Sequence, residues 1–252
     1  MKSSIDLNSD LGEGAGSDEE LLSLVSSANI ASGFHAGNAD SMRQAISAAR
    51  SRGVAVGVHP SFFDRENFGR KELPIMCEQL YDIINFQLGT FQAIAHAAGA
   101  LVRHVKPHGA LYNMAARELR IAEPIVRAIH DVDPTLLLFA PGSSALAAAA
   151  EARGVTVVAE VFADRGYMKD GSLVPRGRPG AILDDPQAAA SRVVRMLQEG
   201  KVRSIDGQDV AITAETVCVH GDTPDAVAFA RALRQKLEEQ GIEIRAPGKS
   251  AA

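Results

Sequence analysis

Several absences bound the chemistry of this chain before any motif is considered. Only two cysteines, Cys77 and Cys218, occur in 252 residues, and no CxxC spacing joins them. That argues against both a disulfide framework and a thiolate zinc site; both cysteines are expected to be ordinary core or near-core thiols. Long apolar runs are also missing. Stretches such as Leu136–Ala140 fall far short of the ~18–20 residues a membrane span needs. The first ten residues carry three charged groups and no apolar signal core, so a cytoplasmic protein with no membrane contact is expected. Nor is there a basic excess: the net charge is -5 and the pI about 5.8. Such a chain has no general positive field for nucleic acid.

Three catalytic signatures are absent as well. Gly12, Gly14 and Gly16 imitate a phosphate loop, but the third glycine of GxGxxG would stand at position 17, which is Ser17. Gly248-Lys249-Ser250 imitates the end of a Walker A motif, yet position 243 is Glu243 and two residues cannot form the helix that must follow. No GxSxG elbow is present. The chain shows no nucleotide site of its own.

What is present is a rhythm. The composition, 46% apolar and 23% charged, is that of a globular protein with a large core. Seven β-type runs are predicted at Ser4–Asn8, Ala28–Ser32, Val54–Val58, Leu101–Lys106, Leu136–Ala140, Val155–Val161 and Thr216–His220. Helices are predicted at Asp18–Ser27, Asp40–Ser51, Lys71–Ala98, Met114–Asp131, Ser143–Arg153, Pro186–Glu199 and Thr223–Gln240. Asp18 and Asp40 are the expected N-caps, and Gly53, Gly99, Gly154, Gly200 and Gly241 the expected stops. Asp170-Gly171 and Asp206-Gly207 read as short hairpin turns. Alternating βα units admit an open doubly wound sheet or a closed barrel. Seven units without a dinucleotide fingerprint favour an α/β fold with a seven-stranded (βα) barrel related to the TIM barrel. Residues 1–252 are expected to form this single domain, with 245–252 as a flexible tail.

Either architecture gathers function at the C-terminal ends of the strands, and the polar residues concentrate there. Asn8, Asp10 and Glu13 follow the first strand, His35 the second and His59 the third. Lys106 and His108 follow the fourth, Asp164 and Arg165 the sixth, and His220 and Asp222 the seventh. Four of the seven histidines thus fall at strand ends, where imidazole serves proton transfer near neutral pH. One histidine alone can simply brace a loop; four on one rim point to an active site. Alternation puts Val102, His104 and Lys106 on one strand face. His104 is the deeper of its two polar residues and reads equally well as a satisfied interior histidine. His96 and His130 lie on helices. Lys106 suits a substrate carboxylate or a developing oxyanion, or else an ion pair closing the strand end. Asp10, His35 and His59 would supply one oxygen and two nitrogens to a catalytic divalent metal, with Asp6 and His108 as substitutes.

Longer stretches carry a resemblance. Ile5-Asp6-Leu7-Asn8-Ser9-Asp10-Leu11-Gly12-Glu13-Gly14, Ser27 to Gly37, Val58-His59-Pro60-Ser61 with Phe68-Gly69-Arg70, His104 to Asn113, Glu160 to Tyr167, Asp170 to Val174 with Arg176, and Val217 to Pro224 resemble the LamB/YcsF family in order from Ile5 to about Ile244. Ser32 stands where that family usually has Cys, Asn38 where it has Asp, and Phe62-Phe63 where Tyr-Pro is common. Membership implies a seven-stranded βα barrel serving as the A subunit of an ATP-dependent 5-oxoprolinase. The B and C subunits of that enzyme would be its partners, 5-oxo-L-proline the substrate, L-glutamate, ADP and phosphate the products, and ATP with Mg the co-substrate of the complex. Under that resemblance Asp10, Glu13, His35, His59, Lys106, His108, His220 and Asp222 are the expected catalytic residues. Asn8, Arg70, Asn113, Asp164, Arg165 and Arg176 are the expected substrate contacts. A stand-alone metal-dependent hydrolase or deacetylase of carbohydrate or amide substrates, and a non-catalytic binding subunit, are the competing expectations.

Overall fold

A computed structural model describes residues 4–221 and 225–248. Every predicted β-type run becomes a strand. They are β1 (Ser4–Leu11), β2 (Ser27–Ala31), β3 (Ala55–His59), β4 (Val102–Val105), β5 (Leu137–Ala140) and β6 (Val157–Phe162). A two-stranded excursion follows, β7 (Lys201–Arg203) and β8 (Asp209–Ala211), and then β9 (Thr216–Val219). Strands β1 to β6 and β9 pair in parallel, each with its neighbour. The first and last then pair with each other, Asp6 opposite Thr216 and Asn8 opposite Cys218. The sheet is therefore a closed seven-stranded TIM-like barrel, which answers the open-or-closed alternative by leaving no free edge between β1 and β9. A short β10 (Glu243–Ile244) adds in parallel to the start of β1. The Asp206-Gly207 turn joins β7 to β8 antiparallel, and Asp170-Gly171 turns between the bridged residues Tyr167 and Leu173.

The helices are α1 (Asp18–Leu22), α2 (Ala39–Ser51), α3 (Cys77–Ala97), α4 (Gly109–Arg117), α5 (Leu119–Val132), α6 (Ala145–Arg153), α7 (Pro186–Glu199) and α8 (Ala226–Glu239). Three differ from expectation for local reasons. Helix α1 is little more than one turn, because β2 already begins at Ser27. Helix α3 starts at Cys77 rather than Lys71, since Pro74 disfavours helical geometry in the residue before it. The predicted helix Met114–Asp131 is two helices, α4 and α5, broken where Glu118 turns extended at φ -127° and ψ 111°. Inside α5, Pro124 has no N–H to give the Arg120 carbonyl. The Cys77 thiol donates to that carbonyl instead, at 3.3 Å, which gives this cysteine a bracing contact.

Capping also shifts. Asn38, not Asp40, caps α2, accepting from the Asp40 and Ser41 N–H groups while Ser41 reciprocates. Asp18 accepts from the Gly12 N–H at 2.8 Å instead of capping α1. At the C-terminal end, the Arg245 N–H donates to the Ile5 carbonyl at 2.9 Å and Ala246 is buried. The chain is thus still held at 246, one residue past the expected start of the tail, while 249–252 lie outside the described residues.

Alternation along the strands decides what the barrel encloses. Leu7, Leu11, Ile30, Val58, Val105, Leu138, Val161, Val217 and Val219 join one apolar core with Leu80, Ile84, Ile125, Val193 and Leu233 of the helices. The intervening positions carry a buried polar set, Asp6, Asn8, Asp10, Asn29, His104, Lys106, Glu160 and Thr216, together with Phe139, Phe162 and Cys218. Gly57 makes room for this interior. A Cβ there would lie 2.1 Å from His104 Nε2, so Gly57→Ala is expected to cost about 1–3 kcal/mol by overpacking. Denaturant unfolding measures this; a variant as stable as the wild type would show that the His104 ring does not fill that space.

Candidate active site

The deepest layer of the barrel is built on Asp6. Its Oδ1 accepts from the Ser26 and Ser27 hydroxyls at 2.7 Å, and its Oδ2 from Thr216 at 2.5 Å. Burial pushes this carboxyl up to about 6, although the three hydroxyls pull against it. Above it Asn8 donates to Thr216 Oγ1 at 2.7 Å and to Glu160 Oε1 at 3.0 Å. Asn29 donates to Asn8 and Asp10 and accepts from His104 Nε2 at 2.8 Å. His104 also stacks on Phe139 at 4.1 Å. Burial, reinforced by the charge of Lys106, lowers this histidine to about 3, so it is a neutral donor inside the barrel.

Lys106 occupies the centre of the next layer. Its ammonium lies 2.9 Å from Asp10 Oδ1 and 3.1 Å from Glu160 Oε1; it also donates to Cys218 Sγ at 3.0 Å. Burial works against the charge, but Asp10, Cys218 and Glu160 outweigh it and hold Lys106 well above the ordinary lysine range. Burial likewise opposes ionisation of Asp10, and His59 and Lys106 override it to hold that carboxyl well below the usual range. Tyr112 donates to Glu160 Oε2 at 2.7 Å, completing the second carboxylate.

Three histidines and Glu13 meet at the rim. His59 Nδ1 donates to the Lys106 carbonyl at 2.6 Å, and His108 Nε2 donates to the Phe68 carbonyl at 2.9 Å. The remaining nitrogens, His59 Nε2 and His108 Nδ1, face each other at 2.9 Å. Glu13 Oε1 lies 2.9 Å from His35 Nε2, 3.3 Å from His108 Nδ1 and 3.8 Å from His59 Nε2. The His35 and His108 rings stack at 3.8 Å. Burial, with the neighbouring His59, lowers His35 to about 2; burial and the other two imidazoles push His108 well below its ordinary value. These four residues are a group that can hold a metal ion.

A further histidine stands apart from the trio. His220 Nδ1 lies 2.9 Å from Asp164 Oδ2, and its ring stacks on Phe162. Burial opposes the Asp164 charge, but His220 overcomes it and the carboxyl is lowered to about 2. Asp164 therefore holds the imidazole, and the other ring nitrogen is left for the site.

The loop 61–70 fixes the trio. Phe68 adopts φ 55°, a left-handed conformation unfavourable for a bulky residue, and this aims its carbonyl at His108. Gly69 follows at φ 63° and presses on the same residues: a Cβ there would lie 2.4 Å from Ser61 Oγ and 2.9 Å from both His108 and His35. Outside, a cavity of ≈ 870 Å³ opens, lined among others by Glu13, Phe68, Arg70, Gly221 and Arg231.

The expected site residues divide accordingly. Asn8, Asp10, Glu13, His35, His59, Lys106 and His108 are brought together, and His220 closes the group, since its ligand atom lies within 4.8 Å of those of Asp10 and Cys218. Asp10, expected in a metal set, is bound to Lys106, and its other oxygen is 3.4 Å from His59 Nε2. Arg70 is exposed on the cavity wall over the Phe68 ring. Arg165 is buried and donates to the Ala181 and Val174 carbonyls, so it braces its own loop. Arg176 and Asn113 are exposed, the latter on α4. Asp222 lies outside the described residues. Glu160, Tyr112, Asn29 and Cys218 escaped the sequence reading as site residues. The signal for Glu160 was its place between Val158 and Phe162 in a strand of otherwise apolar residues, on the alternate face to Val161.

Comparison with known proteins agrees with this architecture. The model of the LamB/YcsF family matches residues 5–252. The crystal structure of a lactam utilization protein from Thermus thermophilus is 43% identical, with a TM-score of 0.91 over 98% of this chain and 100% of that one. A putative cellobiose-phosphate cleavage protein from Enterococcus faecalis shares the fold at 13% identity, with a TM-score of 0.58 and 97% of each chain covered.

The neutral interior histidines make stability depend on pH with a definite sign. His104 has an ordinary value of 6.5 and a folded value of about 3. Between these the unfolded chain binds the proton that the folded chain refuses, so stability falls as pH falls through that window. Asp6, raised from 3.8 to about 6, acts oppositely, because the folded chain holds its proton there. His104→Gln keeps a donor for Asn29 but cannot titrate. Its unfolding free energy, followed by urea titration from about pH 7 to pH 4, is expected to fall less steeply than that of the wild type by up to one proton; identical slopes would mean that His104 is not held neutral.

Proposed function

The chain belongs to the LamB/YcsF family, and from that premise and the geometry of the rim we propose that it is the ring-opening subunit of an ATP-dependent 5-oxoprolinase. It would act with the B and C subunits to convert 5-oxo-L-proline to L-glutamate, with ADP and phosphate as co-products. The observation that carries the reading is the full-length likeness to a lactam utilization protein, at 43% identity, together with a strand-end site dense in proton-transfer groups.

A five-membered lactam is a stabilised amide with a poor leaving nitrogen. Opening it calls for activation at the carbonyl oxygen, a base for water and an acid for the nitrogen. The residues here fit the last two tasks. His220, its Nδ1 held by Asp164, suits proton delivery to the departing nitrogen through Nε2. His59 and His108, pinned by main-chain carbonyls, suit a water at the rim. Lys106 already neutralises Asp10 and Glu160, which favours Arg70, on the cavity wall, for the substrate carboxylate. The sequence has no recognisable phosphate loop, and on this reading the partner subunits perform or share the phosphorylation. The histidine and glutamate cluster keeps a second reading in play, a metal-dependent amide hydrolase or deacetylase acting alone.

Glutamate release from 5-oxoproline and ATP is the test, comparing this chain alone, the B and C subunits alone, and the three combined. Activity only in the full mixture is expected, and His220→Ala in that mixture is expected to lower kcat by roughly 10²–10⁴-fold. Equal activity without this chain would demote it to an accessory role. Amide hydrolysis by the chain alone, abolished by a chelator, would favour the second reading.

A further inference from the structure

We propose that Glu13, His35, His59 and His108 form a binding site for a single transition-metal dication of the zinc class, with His59 Nε2 and His108 Nδ1 as its central ligands. The positions of the ring protons point to it. A main-chain carbonyl only accepts, so the contact to the Lys106 carbonyl at 2.6 Å places the His59 proton on Nδ1. The contact to the Phe68 carbonyl at 2.9 Å places the His108 proton on Nε2. The two nitrogens that face each other at 2.9 Å are therefore the ones without those protons, and they turn lone pairs on each other unless a proton or a metal ion lies between them. Glu13 Oε1 brings a third acceptor to within 3.3 Å of one and 3.8 Å of the other. Three acceptors converging in a buried space repel one another unless a cation lies among them.

The surroundings are those of a ligand set. Metal-binding histidines almost always donate their second N–H to a carbonyl or carboxylate, which fixes tautomer and ring orientation. Here two backbone carbonyls do so, one of them aimed by the left-handed Phe68. His35 closes the fourth side, its Nε2 2.9 Å from Glu13 Oε1. Its Nδ1 is buried and lacks a hydrogen-bond partner among the described residues, an unsatisfied state that buried polar atoms of a complete site rarely show. The other cluster, Asp10, Cys218 and His220, is different. The Lys106 ammonium already lies 2.9 Å from Asp10 and 3.0 Å from Cys218 and is the cation there.

The donor set selects the metal. Three imidazoles and one carboxylate suit Zn²⁺, Co²⁺, Ni²⁺ or Fe²⁺, whereas Mg²⁺ and Ca²⁺ prefer oxygen. The site is thus distinct from any Mg²⁺ that accompanies ATP. It rests on tautomers and distances and not on the lactam reading, so its test needs no substrate.

Chelator-stripped protein is titrated with Co²⁺, followed by visible absorption, and with Zn²⁺ in competition; thermal unfolding is recorded with and without Zn²⁺. About one ion per chain is expected, displaced by Zn²⁺, with a rise in Tm that Mg²⁺ and Ca²⁺ do not produce. His108→Ala should abolish uptake, and the near-isosteric Glu13→Gln should weaken it by at least the roughly 10-fold that lost outer-shell partners cost. Cys77→Ser should bind as the wild type does. A folded wild-type chain that takes up neither Zn²⁺ nor Co²⁺ would overturn the proposal and leave a shared proton as the cation. Uptake unchanged in both Glu13→Gln and His108→Ala would equally overturn it, by placing the ion elsewhere. Should His108→Ala fail to fold, the wild-type titrations and Glu13→Gln decide.

Discussion

A lysine ammonium enclosed by a β-barrel is the constraint on which the rest of this structure depends. Removing such a charge from water costs several kcal/mol even after relaxation, and Lys106 is 2% exposed. Asp10 and Glu160 answer it, and they in turn must be answered. Asn29 donates to Asp10, Asn8 and Tyr112 donate to Glu160, and Asn8 also reaches Thr216, which reaches Asp6. The polar interior is a single chain of obligations that starts from one cation. Replacing one member by an apolar residue leaves its partners unsatisfied, which explains why a barrel interior usually filled with branched aliphatic side chains is here filled with amides, hydroxyls and carboxylates.

The barrel was legible in the sequence because strand alternation and turn residues are local. Seven runs at Ser4–Asn8 through Thr216–His220 reappear as the seven barrel strands, shifted by one or two residues at most of their ends. Helix ends were less legible, since Pro74 and Glu118 act through backbone geometry that apolar periodicity does not register. The histidines of the site stood out by their position after strands. Their partners did not: Glu160 and Cys218 lie on β6 and β9, far in sequence from Lys106, and only closure of the barrel makes them neighbours. Asp10 shows the same limit from the other side. It stands near the C-terminal end of β1, where a metal ligand would, but Lys106 captures it first.

Precision at the rim comes from the main chain. His59 and His108 are oriented by the carbonyls of Lys106 and Phe68, groups that side-chain substitution does not remove. The second of these depends on a left-handed Phe68 followed by Gly69, where any Cβ would strike Ser61, His108 and His35. The loop is wedged among the residues it serves, so its strained backbone is over-determined by packing.

The pairing of β1 with β9 joins residues 210 positions apart, Asp6 to Thr216, and has a consequence for how the chain reaches its native state. Contacts of such sequence separation form late, because the loop-closure entropy must be met before they return any free energy. Until the first and last strands meet, Lys106 lacks Cys218, Asn8 lacks Thr216, and both closing strands present unpaired edges. The charged interior stays hydrated through the early stages, and its desolvation becomes part of the final closing step. Closing the barrel therefore desolvates the same buried charges that organise its site.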